Sequence, residues 1–150
     1  MYDHAKNKTH LILANGVVFK GGKVLVSQRS WQEPNQPGKW TIPGGKVERT
    51  KKTVFNVLEK TVKDEVLEET GVRIKDKVRL VTNNTFLRST GQHVVALTFA
   101  CEYKSGKPMP LDDTIDCKWA SLAEVKRMKF APNVKKYILL AFRGKLSRDD

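Results

Sequence analysis

The sequence predicts a layered α/β domain with a mixed sheet, and three observations carry that prediction. Apolar, β-branched runs recur along the chain between turn residues; two segments show helical periodicity; and strands alternate with a few helices without repeat or linker. The 150 residues fit one domain, expected over 1–150 with flexible ends at 1–10 and 144–150.

Residues 11–19 are apolar and β-branched, and residues 24–26 continue the pattern after Lys20-Gly21-Gly22-Lys23. Two such runs around a Gly-Gly pair predict a hairpin, because glycine supplies the positive φ of a tight turn. Two prolines and a glycine make residues 30–39 a loop, and Trp40-Thr41-Ile42 a short strand ending at Pro43-Gly44-Gly45. Residues 53–70 are expected as a helix, since Val54, Leu58, Val62 and Val66 recur every fourth position. Gly71 is placed to stop it. Strands are expected at 79–87, 93–103 and 115–120. Ser121-x-x-Glu124 has the form of a capping box before a short helix. After Pro132, Val134, Tyr137, Ile138, Ala141 and Phe142 form one apolar face of a last helix.

Charge and composition exclude several classes. The longest apolar run, residues 94–101, is too short to span a bilayer, so no membrane partner is expected. Residues 1–10 are polar and do not read as a secretory signal. Cys101 and Cys117 form no C-x-x-C pair and are expected as reduced, part-buried thiols of a cytoplasmic protein. His4, His10 and His93 follow no ligand pattern. The net charge of +12 points to an anionic partner.

That charge is uneven. Residues 46–63 carry six Lys/Arg and two Glu, whereas residues 64–69 carry four acids and no base. Offsets of three and four residues put Glu65, Glu68 and Glu69 on one helical face. Like charges so spaced repel, and a hard divalent cation such as Mg²⁺ or Mn²⁺ reverses the sign of that energy. The alternative is a solvated acidic face. The Gly44-Gly45 pair upstream allows backbone to approach an ion or phosphate closely.

The segment Gly38-Lys39-Trp40-Thr41-Ile42-Pro43-Gly44-Gly45-Lys46-Val47-Glu48, with Glu65-Val66-Leu67-Glu68-Glu69-Thr70-Gly71-Val72, resembles the Nudix hydrolases, whose signature runs G-x5-E-x7-R-E-U-x-E-E-x-G-U with U aliphatic. The second half matches at every fixed position. Residues 24–29 resemble the strand entering the site, and Trp119 before Ser121-Leu122 the segment after the last strand, so the likeness covers roughly 11–142. The resemblance implies an α+β sandwich, a mixed β-sheet between helices. It also implies a metal-dependent pyrophosphohydrolase that cleaves a nucleoside diphosphate linked to another moiety.

By position, Glu65, Glu68, Glu69 and the Gly44 carbonyl would hold Mg²⁺ (or Mn²⁺), with Glu65 also a candidate general base. In the MutT-type branch an acid six residues before the tryptophan also serves, which here is Asp113, with Asp112 and Asp116 as neighbours. Glu48 would support the metal through hydrogen bonds to its ligands. A nucleoside triphosphate is the first substrate expected; ADP-ribose, nucleotide sugars and dinucleoside polyphosphates are alternatives.

The pattern also breaks. Residues 46–64 separate Gly45 from Glu65, five more than the signature allows. The signature's first glutamate falls on Lys51 counted forward or Asn56 counted back, and its arginine is Asp64. Two readings of the lost pair are a charge-reversed contact between Lys51-Lys52 and Asp64, or a surface Lys60–Asp64 pair with the insertion lengthening the helix. The departures also leave open a weak or inactive binding module for nucleotide or RNA.

Three more residues are substrate-binding candidates. Arg29 suits bidentate phosphate binding, or is a surface arginine. Trp31 would stack on a base or anchor its loop. Asn133 in Phe130-Ala131-Pro132-Asn133 would read a purine or cap the last helix. Residues 118–148 carry nine Lys/Arg and one Glu, which admits RNA as a partner beside a solvated basic face.

Overall fold

The computed structural model describes the backbone of residues 9–149 and the side chains of 9–145. In chain order the elements are β1 (Leu11–Lys20), β2 (Lys23–Arg29), β3 (Trp40–Thr41), β4 (Gly44–Lys46), α1 (Val57–Thr70), β5 (Arg73–Ile74), β6 (Arg79–Leu87), β7 (His93–Ser105), β8 (Thr114–Ala120), α2 (Leu122–Arg127) and α3 (Val134–Asp149). The sheet runs β3-β2-β1-β7-β5, with β4 also on β1, β6 on β7 and β8 on β2. β1 and β7 pair in parallel from Leu11↔Val94 to Phe19↔Glu102, amid antiparallel neighbours. The sheet is mixed, as expected.

Alternation along the central strands buries both faces. Val17, Phe19, Val24 and Val26 join Val125, Val134, Tyr137, Ile138, Ala141 and Phe142 of α2 and α3 in one apolar cluster. Ala14, Val18, Leu25, Phe99 and Cys101 join Val62 and Val66 of α1 in another. The sheet therefore lies between helices, an α+β sandwich. α1 sits tightly on β1 because Gly16 has no side chain; a Cβ there would come within 2.9 Å of Val62 Cγ1.

The five stripe residues of the last helix are all buried, and Ser121 and Glu124 form the reciprocal capping box. Gly71, at φ 77°, ends α1 with its N–H on the Leu67 carbonyl. The start of α1 differs from the sequence expectation. The helix begins at Val57, not Thr53, after Asn56 in a left-handed conformation at φ 57°. Val54 is exposed and Phe55 is 85% exposed, so the first member of the expected stripe has no surface to pack against. Without that burial, β-branched Thr53 and Val54 gain little from helix. The inserted residues therefore extend the loop before α1 and do not lengthen the helix. At the other end, the stretch from 144, expected as a flexible end, continues α3 to Asp149. Residues 1–8, expected as the other flexible end, with most of the polar segment and His4, lie outside the described residues. Among the described residues no helix is long and apolar enough to cross a membrane.

Candidate active site

Val62, Val66 and Thr70 are fully buried and fix the inner face of α1. That orientation turns Glu65 and Glu69 toward β4, with Glu68 exposed beside them. β4 is fixed on β1: Asn15 pairs with Gly44 and Ala14 with Gly45. Gly16 N–H donates to the Pro43 carbonyl and Val47 N–H to the Ile12 carbonyl, each at 2.9 Å.

The acids meet this backbone directly. Gly44 N–H donates to Glu69 Oε2 at 3.0 Å. The Glu65 carboxylate lies against Gly45 so closely that a Cβ there would be 2.5 Å from Oε1. The segment after β7 closes the end of the helix, with Met109 N–H on the Thr70 carbonyl at 2.9 Å and Leu111 N–H on the Glu69 carbonyl at 3.3 Å. That path delivers Asp112, in a left-handed conformation at φ 52°, to the same place.

The electrostatics follow from burial and crowding. Burial pushes the Glu69 carboxyl up to about 8 against the lowering effect of the Gly44 N–H, and the charges of Glu65, Asp112 and Glu68 push the same way as burial. Burial is also the largest cause raising Glu65, followed by Glu68, Asp112 and Glu48. Burial and crowding hold these carboxyls toward their neutral, protonated form, a perturbation of the kind that functional sites show.

Oxygen donors of this kind suit a hard divalent cation. Glu65, Glu69, Glu68 and the Gly44 carbonyl could hold one, and the charge it brings would offset the burial and the mutual repulsion that raise Glu65 and Glu69. Among the described residues no three acidic, His or Cys side chains are already drawn into a formed cage. Glu69 is turned onto the Gly44 N–H and Glu68 faces solvent.

The other candidates sort themselves by contact. Of the three aspartates, Asp112 is the one whose charge acts on Glu65 and Glu69. Asp113 receives the Ser30 N–H on its backbone carbonyl at 3.0 Å, and Asp116 Oδ1 accepts from Cys117 N–H at 2.7 Å. The spacing to Trp119 points to Asp113, whereas the left-handed turn brings the charge of its neighbour Asp112 to bear on the two glutamates. Glu48 lies within electrostatic reach of Glu65. Arg29 is engaged in its own loop, with its NH2 group 3.3 Å from Glu33 Oε2 and Nε donating to the Asn35 carbonyl at 2.9 Å. The Trp31 ring lies against Gly38 in the same loop, yet is 69% exposed. Asn133 precedes α3 at φ 73°, its carbonyl accepting from Tyr137 N–H at 3.1 Å. Cys101 and Cys117 are buried, which pushes both thiols up to about 12; such thiols are unreactive.

The sequence profile of the NUDIX domain matches residues 10–141. Among solved structures, the NUDIX domain of Shewanella oneidensis NrtR, complexed with ADP-ribose, is 26% identical, with 97% of this chain and 94% of that chain covered and a TM-score of 0.76. The MutT protein from Methanosarcina mazei Go1 is 25% identical, with 92% and 96% covered and a TM-score of 0.72. The bifunctional NMN adenylyltransferase/ADP-ribose pyrophosphatase from Francisella tularensis, complexed with AMP and a Mn ion, shares the fold. It is 18% identical, with 91% of this chain and 42% of that chain covered and a TM-score of 0.70. No curated protein matches the chain. The profile match over most of the length, with a glutamate-bearing helix set against a Gly-Gly strand, means that this chain belongs to the NUDIX family of hydrolases acting on diphosphate bonds.

Proposed function

We propose that the chain hydrolyses a nucleoside diphosphate linked to another moiety, in the cytoplasm, with a divalent cation, Mg²⁺ or Mn²⁺, held by Glu65, Glu68, Glu69 and the Gly44 carbonyl. The observation that carries this reading is the pressing of Glu65 and Glu69 onto the Gly44-Gly45 backbone. When bound, the cation supplies neutralisation of the diphosphate and acidification of water. The chain's own part is orientation and proton transfer. β4 sets the Gly44 carbonyl, and α1 sets the carboxylates over it. Glu65, raised by burial and by its acidic neighbours, is suited to accept a proton from water attacking phosphorus, with Asp112 or its neighbour Asp113 in support. The P–O anhydride bond breaks, and the leaving phosphate keeps its electron pair. Nucleoside triphosphates and ADP-ribose head the substrate classes, the first from the MutT likeness and the second from relatives that bind or cleave it.

The experiment is a panel of nucleoside triphosphates, ADP-ribose, nucleotide sugars and dinucleoside polyphosphates with Mg²⁺ or Mn²⁺ at neutral to mildly alkaline pH. Release of a nucleoside monophosphate, lost in Glu68→Gln and Glu69→Gln variants that keep the wild-type circular dichroism spectrum, is expected. No turnover on any member of the panel overturns the reading. It would favour a binding module, which the five-residue insertion and the loss of the signature Glu and Arg also motivate.

A further inference from the structure

A concavity of ≈ 540 Å³ opens where the start of β3 meets the segment joining α2 to α3. Lys39, Lys129, Lys135 and Lys136 line it together with Phe130 and Asn133, and the lining includes no acidic residue. Among the described residues none of the four lysines pairs with a carboxylate; Lys135 Nζ instead donates to the Lys126 carbonyl at 3.2 Å.

The arrangement gathers positive charge at a helix end that already favours anions. Lys135 and Lys136 occupy the first turn of α3, which has no acidic residue. The N-terminal end of a helix is the positive end of its dipole, so cations there are misplaced for stability and an anion is favoured. Two further lysines add like charge around the same space. A multiply charged anion would complement all four charges and the helix end at once.

The remaining wall narrows the choice of anion. Phe130 is half-buried: its side chain packs on the apolar cluster of α2 and α3 while its backbone bridges to that of Trp40, so its place in the cleft wall is fixed. Asn133 adds an amide able to donate and accept. A bare polyphosphate has no use for an aromatic ring or an amide, and a lipid surface calls for a convex apolar face, not a concavity. A ring, an amide and a ring of point charges together match the base and the phosphates of a nucleotide chain. We propose that this cleft binds single-stranded nucleic acid. Only four residues lie between Lys39 and Gly44, a span of at most about 18 Å of extended chain. Lys39, at the cleft, therefore lies within that distance of the strand that bears Gly44-Gly45. The proposal concerns binding alone and does not depend on hydrolysis.

The test is fluorescence anisotropy of the full chain with 5′-labelled octauridylate, in chelator without divalent cation, as a function of salt. Replacing Lys39, Lys129, Lys135 and Lys136 by Gln is expected to weaken binding at least tenfold. It should also flatten the slope of log K against log salt by about 2–3, since each single-strand phosphate contact contributes about 0.7. Replacing all four by Arg should retain binding. Replacing Lys75, Lys77, Lys104 and Lys107, exposed residues outside this cleft, by Gln removes the same net charge and should change binding far less. Equal losses in the two Gln variants would show only a general charge effect and overturn the proposal. Displacement of the octamer by uridine triphosphate, inorganic polyphosphate or polyglutamate at comparable concentration overturns it as well. Because chelator silences any cation-dependent turnover, failure here leaves the hydrolysis panel unaffected, and failure there leaves this assay unaffected.

Discussion

The backbone N–H of Gly44 donates to Glu69 Oε2 at 3.0 Å, and this one bond joins the glycine strand to the acidic helix. It holds a carboxyl that burial otherwise drives toward the neutral form. The balance between them sets how the protein responds to pH and to divalent cations.

The sign follows from linkage. The Glu69 carboxyl has its proton held up to about 8 in the folded chain, against an ordinary value of 4.5. The folded state then binds more protons than the unfolded one between those values. Stabilisation from that proton is full below 4.5, falls through the interval and is gone above about 8. Thermal denaturation in chelator should show Tm falling as pH rises from about 5 to above 8. With Mg²⁺ or Mn²⁺ the fall should be shallower, because the cation replaces the proton, and apparent cation affinity should rise over the same range. A Tm in chelator that is flat or rising across this interval would contradict the assignment.

Gly45 supplies the next prediction. A Cβ at this position would stand 2.5 Å from Glu65 Oε1, so Gly45→Ala must displace that carboxylate. The obstructed atoms are the end of a side chain, so the fold should survive with little change in Tm. Displacement by about an ångström is enough to lower kcat/KM on the order of a hundredfold. Gly44→Ala is the contrast. Its Cβ would lie 2.8 Å from the Ala14 carbonyl oxygen, which is backbone and cannot swing away. That variant should lose stability as well as turnover, and measuring Tm alongside kcat/KM separates the two.

These positions show how much the sequence made legible. The Lys20–Lys23 turn, the stripe of α3 and the carboxylate face of α1 rest on local periodicity and turn chemistry, and the structure has each of them. β4 and β5 span three and two residues, too short for any alternation to register, yet β4 forms the floor of the site. The start of α1 is not legible from spacing, because Val54 fits the helical period yet stays exposed in the structure. The six-residue spacing to Trp119 selects Asp113, and the backbone turn that favours Asp112 instead leaves no mark in the sequence.

That distinction is testable. Asp112 contributes to raising both Glu65 and Glu69, whereas the contact recorded for Asp113 is made by its main chain. Asp112→Asn should lower both glutamate pKa values and move the acidic limb of the kcat/KM profile to lower pH. It should also reduce the rate, by about a hundredfold if its carboxylate takes part in proton transfer. Asp113→Asn keeps the carbonyl that receives the Ser30 N–H and should leave the acidic limb in place. The reverse pattern would return the role to Asp113, the position that the MutT-type spacing selects.

The last prediction concerns the signature's missing ion pair. Asp64 stands where that pattern has arginine, and its carboxylate is 2.6 Å from Lys60 Nζ, four residues back on the same helix. Both side chains are largely exposed, so water and salt screen the pair and its loss should be small. Lys51, the other candidate partner, lies in the exposed loop before α1. A cycle of Lys51→Glu, Asp64→Arg and the double variant should therefore be additive in Tm and in denaturant midpoint. Coupling that makes the double variant more stable than the sum of the singles would reveal a charge-reversed version of the pair. With additivity, the loop from Glu48 to Asn56 is held without the ion pair that the signature supplies. Turnover by the wild-type chain would then show that β4 and the buried face of α1 suffice to place Glu65 and Glu69.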